Sequence, residues 1–277
     1  MYKLIAVDLD GTLLDDKKEI SKENIELINE LIERGYEVVI ATGRRYWSAK
    51  ELTKSIYKPL VILANNGNIV RETEKDQIII EKYLNIEDFQ AVVERGKQKD
   101  LHPIIHVDNY ENGYDMIVEL DIKNDSYGNY FSPDEKRYKR VNSYLDIKDE
   151  KILAVVYLGE KKKMEEFYLD INKNYPNKYN VHIVENIRAA EALLEIMNPL
   201  GCKWQSLQEY ARERGIREDE IIAIGDDNND TPMIKNAGLG IAMKNASKDV
   251  KSVADIITEK DNNDSGVAFE LKRVLNL

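Results

Sequence analysis

The chain has 277 residues, with 40 Lys and Arg against 51 Asp and Glu and a formal net charge of −11. That length allows about two domains, each able to bury a core. The acidic balance excludes nucleic acid and anionic membrane as general partners, since affinity for such polyanions rests on clustered Lys and Arg, and the single cysteine, Cys202, excludes an internal disulfide.

The first predicted strand covers residues 3–9, where Leu4-Ile5-Ala6-Val7 has no polar alternation and reads as buried on both faces. It ends in Asp8-Leu9-Asp10-Gly11-Thr12. Residues 22–34 place Ile25, Ile28, Leu31 and Ile32 on one helical face, and Gly35 stops that helix. A second buried strand, 37–41 (EVVIA), ends in Thr42-Gly43-Arg44. A helix from Tyr46 to Tyr57, a strand over 60–64 and a hairpin-like edge at 68–70 and 77–80 follow.

Residues 83–194 read differently. They hold most of the tyrosines and charged, Asn-rich stretches at 108–115 and 121–140. Strands are predicted at Ile104–Val107, Met116–Leu120, Ile152–Leu158 and Val181–Val184, and helices at Glu87–Lys99 and Lys162–Asn172. This pattern predicts an α+β insertion with a mostly antiparallel sheet. After the breaker Asn198-Pro199-Leu200-Gly201, the alternation resumes with a helix over Lys203–Arg214, a strand over 221–225, a helix near 230–236, a strand over 239–242, a helix near 247–253 and a closing helix from Val267. Strand–helix alternation implies an α/β core, Rossmann-like, with a parallel sheet and helices on both faces.

Two carboxylates two residues apart at the carboxyl end of a buried strand stand where open α/β sheets bind ligands. Alone, Asp8 and Asp10 could be an acidic turn. Together with the rest of the chain they supply phosphoryl chemistry, which needs a nucleophile, an acid/base, a cation and donors for the phosphate oxygens. Asp8, ionised, can attack directly, and Asp10 can protonate a leaving oxygen and later deprotonate water. Two like charges ~4 Å apart repel by roughly 4 kcal/mol at an effective dielectric of about 20, so a cation must neutralise the site. The cluster Gly225-Asp226-Asp227-Asn228-Asn229-Asp230, with no Cys or His nearby, suits a hard oxygen-loving ion. Magnesium fits, and the cluster lacks the spacing and closing glutamate of a helix-loop-helix calcium loop. Thr42 and the backbone amides after it can bind phosphate oxygens, and Lys203, at a helix start where its charge opposes the dipole, can act as a point charge on phosphate.

In this order, DLDGT at 8–12, ATGR at 41–44, Lys203 and GDDNND at 225–230 resemble the haloacid dehalogenase-like (HAD) phosphatases. The resemblance is nearest to the Cof-type, type IIB cap branch, and Asn65-Asn66-Gly67, Ala242-Met243-Lys244-Asn245-Ala246 and Asp264-Ser265-Gly266-Val267-Ala268 extend it along the chain. The resemblance implies Asp8 as nucleophile and magnesium ligand, and Asp10 as general acid/base with its main-chain carbonyl a second ligand. It makes Asp226 the third protein ligand and Asp230 a support for the metal's water shell. The Leu9 amide, Thr42, Gly43, Lys203 and Asn229 would hold the transferring phosphoryl group. Arg44, Asn66 and Trp204 are candidate substrate contacts. Trp204 stands where the family often has glycine, large enough to shape the entrance, and Asp227 adds a carboxylate that is either solvated or tightens the metal site.

The expected domains are an N-terminal core part (1–82), an inserted α+β cap (83–194) and a C-terminal core part (195–277). The expected function is a magnesium-dependent phosphatase of small phosphorylated metabolites, sugar phosphates or phosphorylated cofactors, acting through an aspartyl-phosphate, as a monomer or small homo-oligomer. Rivals are a phosphomutase on the same core and a non-enzymatic phospho-receiver, whose metal-binding acidic pair normally precedes the phosphorylated aspartate. His102 and His106 are four apart, but Pro103 and Ile104-Ile105 predict a strand between them, so they do not form a helical zinc pair. No apolar run approaches the ~20 residues of a membrane span and no leader precedes the first strand, which predicts a cytoplasmic protein.

Overall fold

A computed structural model describes residues 2–132, 134–185 and 189–277. Contacts divide the chain into two compact units, Met1–Glu81 with Cys202–Leu277, and Lys82–Gly201. The first unit begins β1 (Leu4–Asp8), α1 (Lys22–Glu33), β2 (Glu37–Ala41), α2 (Tyr46–Thr53), β3 (Val61–Ala64), β4 (Ile69–Glu72) and β5 (Ile78–Glu81). The second unit holds α3 (Ile86–Lys97), β6 (Ile104–Val107), β7 (Met116–Val118), β8 (Tyr138–Arg140), β9 (Ile152–Gly159), α4 (Lys161–Asn174), β10 (Asn180–Glu185) and β11 (Ala192–Met197). The first unit is completed by α5 (Lys203–Glu213), β12 (Ile221–Gly225), α6 (Thr231–Asn236), β13 (Leu239–Ala242), α7 (Lys248–Val253), β14 (Ile256–Ile257) and α8 (Gly266–Leu275).

Among the described residues, the sheet of the first unit has the order β14-β13-β12-β1-β2-β3-β4-β5. β14 to β3 run parallel, and β4 and β5 add an antiparallel edge. β1 is central and buried at every residue, as an unbroken apolar run requires of a strand covered on both faces. Register aligns Ile224, Val7, Ile40 and Ile62 in one row across four strands. The residues just beyond that row, at Asp8, Thr42, Asn65 and Asp226, therefore leave the sheet along one edge. α1 starts where Ser21 caps it, its side chain accepting from the Asn24 N–H, and buries Leu27, Ile28 and Leu31.

α2 stops at Thr53 and does not reach Tyr57. The Thr53 hydroxyl donates back to the Ala49 carbonyl, and the Ile56 N–H turns onto the Thr53 carbonyl, so the chain leaves the helix there.

The second unit carries a sheet of order β10-β11-β9-β6-β7-β8, antiparallel except where β7 meets β8. α3 and α4 bury Phe89, Val92, Val93, Met164, Phe167 and Ile171 in one core with Val155, Tyr157, Leu194 and Ile196 of the sheet. A second cluster joins Ile104, Met116, Val118, Ala154 and Val156 to Tyr127. His106 lies in β6 and bonds Tyr130, so the two histidines share no helix face. No helix among the described residues is long and apolar enough to cross a membrane.

Candidate active site

Four charged side chains converge where β1 and β12 end. The Lys203 ammonium, at the first turn of α5 and only 1% exposed, donates to Asp8 Oδ1 and to Asp230 Oδ1, each at 2.6 Å. Asp230 Oδ2 accepts the N–H groups of Asp226 (3.0 Å) and Asp227 (3.1 Å), which folds the loop after β12 onto its own carboxylate. The Thr12 hydroxyl donates to Asp226 Oδ1 at 2.7 Å, joining the loop after β1 to the loop after β12. Asp8, Asp226 and Asp230 each offer an oxygen, and these oxygens lie within 4.8 Å of one another. Gly11 makes this approach possible. Its φ is +74°, and a β-carbon there would lie 2.3 Å from Asp226 Oδ2.

The electrostatics follow from burial and crowding. Burial pushes the Asp8 carboxyl well above the usual aspartate value, and the charges of Asp230 and Asp226 add to the rise, with Lys203 opposing it. Burial likewise raises Asp226 to about 7; the Thr12 hydroxyl counters the rise and the Asp230 charge adds to it. Burial alone would drive the Lys203 ammonium down, but Asp230 and Asp8 outweigh it and hold the ammonium firmly protonated. Three carboxyl groups thus crowd around a single ammonium.

Asp10 is placed differently. Arg44 grips it as a fork, Nε to Oδ2 at 2.5 Å and Nη2 to Oδ1 at 2.7 Å, and Lys18 Nζ reaches Oδ1 at 2.8 Å. Burial would raise the Asp10 carboxyl, but the Arg44 and Lys18 cations prevail and hold it down to about 2. Both of its oxygens are thus engaged by cations.

The remaining sequence-selected residues fall into two groups. Thr42 (1% exposed) and Gly43 follow β2; the Thr42 hydroxyl accepts the Arg44 N–H at 3.1 Å, and its carbonyl accepts the Asn66 N–H at 3.0 Å. Asn229 donates its amide to Asn66 Oδ1 at 2.9 Å, and Leu9 is fully buried between Asp8 and Asp10. Trp204 is a buried residue of α5, 8% exposed. Asp227 is exposed and accepts the Asn228 N–H, capping the turn that presents Asn229 and Asp230.

Thr12 and Lys18 are the residues that sequence reasoning left without a role. Thr12 stands in the quoted DLDGT stretch, and its hydroxyl next to Gly11 was the available signal. Nothing in Asp15-Asp16-Lys17-Lys18 distinguishes the second lysine, whose approach to Asp10 depends on a left-handed backbone (φ 66°) at that residue.

A family model of haloacid dehalogenase-like hydrolases matches residues 5–271. The chain belongs to that family. The hydrolase is 30% identical over 309 residues to "Phosphatase YwpJ" of Bacillus subtilis (strain 168), covering 99% of this chain and 100% of the relative. It is 30% identical over 270 residues to "5-amino-6-(5-phospho-D-ribitylamino)uracil phosphatase YcsE" of the same organism, covering 98% and 94%. Among solved structures, TM0651 from Thermotoga maritima superposes with a TM-score of 0.81 at 28% identity, over 99% of this chain and 97% of that one. A haloacid dehalogenase-like hydrolase from Bacteroides thetaiotaomicron gives 0.80 at 27% identity, over 99% and 100%. With the family matched nearly end to end and relatives of this kind, the hydrolase is a phosphatase.

Proposed function

We propose that the protein is a magnesium-dependent phosphatase of small phosphorylated metabolites that works through an aspartyl-phosphate on Asp8. The observation that carries this reading is the Lys203 ammonium held between Asp8 and Asp230, with Asp226 alongside. An anionic nucleophile accepts an anionic group only where positive charge is fixed beside it, and Lys203 is that charge.

The site fits a divalent ion on two counts. Its donors are all carboxylate oxygens, the ligands that hard cations prefer. Its three carboxyl groups outnumber the one ammonium, and the crowding that raises Asp8 and Asp226 is what a cation beside them would relieve. Asp8, Asp226 and Asp230, with the Asp10 carbonyl, would hold or support magnesium, which when bound supplies charge compensation for the phosphoryl oxygens.

The chain's own residues then perform two transfers. A carboxylate oxygen of Asp8 bonds to phosphorus as the ester P–O bond breaks; the electron pair leaves on the alcohol oxygen, which takes a proton from Asp10. Water next attacks phosphorus while Asp10 accepts its proton, the acyl-phosphate P–O bond breaks, and Asp8 is restored with release of inorganic phosphate. Lys203, Thr42, Gly43, Asn229 and the Leu9 amide hold the phosphoryl group. Proton transfer by Asp10 requires Arg44 and Lys18 to release it first, since here they occupy both of its oxygens and keep its carboxyl ionised, with no proton to give. Residues 83–194 are proposed as the cap that selects the leaving group. The name of the YcsE relative supports a small phosphorylated metabolite as substrate class.

The test is turnover of a panel of phosphorylated metabolites with magnesium, with excess chelator, and with Asp8→Asn, measuring free phosphate. Chelator and Asp8→Asn should each abolish release. Turnover by clean Asp8→Asn protein would remove the nucleophile, and a phosphorylated isomer as the main product would assign a mutase.

A further inference from the structure

The geometry points to Asn66 as a positioning residue that sets the carboxamide of Asn229 from across the sheet edge. The inference rests on the reading that Asn229 holds the transferring phosphoryl group, and gives Asn66 a role through Asn229 in place of direct contact with substrate.

Asn66 follows β3 and Asn229 follows β12, with β1 and β2 lying between those strands. Three interstrand steps span roughly 14 Å. Only by leaning over the ends of β1 and β2 can the two loops bring Asn229 Nδ2 to 2.9 Å from Asn66 Oδ1. The bridge therefore crosses the segment that carries Asp8 and Thr42.

Backbone conformation is committed to this bridge. Asn65 and Asn66 both take left-handed φ, 47° and 53°, which asparagine tolerates better than other residues bearing a β-carbon. The Asn66 N–H is tied to the Thr42 carbonyl at 3.0 Å, fixing the same residue to the β2 loop. Gly43 provides the room, since a β-carbon there would lie 3.3 Å from Asn66 Oδ1.

The bridge also fixes which way the Asn229 amide faces. Reversing it would set two carbonyl oxygens against each other, so one N–H stays on Asn66. Asn229 Oδ1 is buried with no protein partner. A buried acceptor left in this way is costly unless a donor such as a water of the bound ligand's shell completes it. With one Nδ2 hydrogen on Asn66, the amide keeps its second for a phosphoryl oxygen.

The experiment is a double-mutant cycle with Asn66→Gly, which keeps left-handed φ accessible, and Asn229→Ala. The readout is the inhibition constant of inorganic phosphate against p-nitrophenyl phosphate hydrolysis with magnesium. Each single variant should raise that constant about tenfold, and the double variant little further, because both remove one coupled unit. Asn66→Asp, which keeps the acceptor oxygen, should remain coupled to Asn229. Multiplying losses, about a hundredfold in the double variant, would overturn the proposal by making Asn66 an independent contact. So would Asn66→Gly with an unchanged constant. No effect of Asn229→Ala would remove the phosphoryl contact and this proposal with it, yet leave the Asp8 chemistry standing on its own variant.

Discussion

Asp226→Asn should make the metal-free protein more stable while ending its response to magnesium. Holding the Asp226 carboxylate ionised, where its proton affinity has risen from the usual 3.8 to about 7, costs roughly 4 kcal/mol at neutral pH. An asparagine keeps the acceptor that Thr12 uses and removes the charge. Relaxation around the buried site absorbs part of the gain, leaving about 2–4 kcal/mol, or roughly 5–10 °C in Tm. A group whose folded value is raised stabilises the fold fully below its unfolded value and loses that contribution as pH climbs through the folded one. The gap between variant and parent in chelator should therefore be small at pH 4, widen up to about pH 7 and then level off. Thermal unfolding monitored by circular dichroism, with chelator or magnesium at each pH, measures this directly. A variant no more stable than its parent in chelator at neutral pH would refute the electrostatic account of the cluster, as would an undiminished magnesium-induced rise in Tm.

Lys203→Met should do the opposite in chelator, destabilising the fold by about 3–5 kcal/mol at neutral pH because Asp8 and Asp230 lose their counter-charge. The deficit should shrink as pH falls, because the raised Asp8 carboxyl takes up a proton and no longer needs a counter-charge, which the same unfolding series reads. Thr12→Val removes the hydroxyl donor to Asp226 at nearly constant volume, and the magnesium concentration for half-maximal turnover should rise about tenfold. An unchanged activation constant would show that Thr12 does not orient the ligand.

Much of the first unit was legible because its signals are local. The predicted strands over 37–41, 221–225 and 239–242 match β2, β12 and β13, since short apolar runs bounded by turn residues leave little choice of period. β11 gave no such signal. Its sequence, Ala192-Leu193-Leu194-Glu195-Ile196-Met197, is rich in helix formers, and only pairing with β9 and β10 on either side makes it a strand. That is also why the sequence-based boundary at 194/195 falls inside an element. β8 is three largely exposed residues held by β7, too short to carry a pattern.

The candidate site shows the same division. The residues at strand ends were found from charge and position, and Asp8, Lys203, Asp226 and Asp230 do meet. What each side chain does there was not legible. Arg44 grips Asp10 across 34 residues of sequence, and Asn66 takes the Asn229 amide across 163. Such pairings depend on which loops lean together, and no spacing rule records that. Trp204 reads as a bulky feature of the entrance in sequence, and in the fold it is a largely buried residue of α5.

The position of β1 has a consequence for synthesis. Its neighbour β12 is encoded about two hundred residues later, so a nascent chain carries β1 with one edge unsatisfied until that stretch has emerged. An apolar strand edge waiting that long invites pairing with other chains, and closure over such a distance is slow. The geometry that gathers distant carboxylates thus leaves the growing polypeptide exposed to mispairing for most of the distance between those two strands.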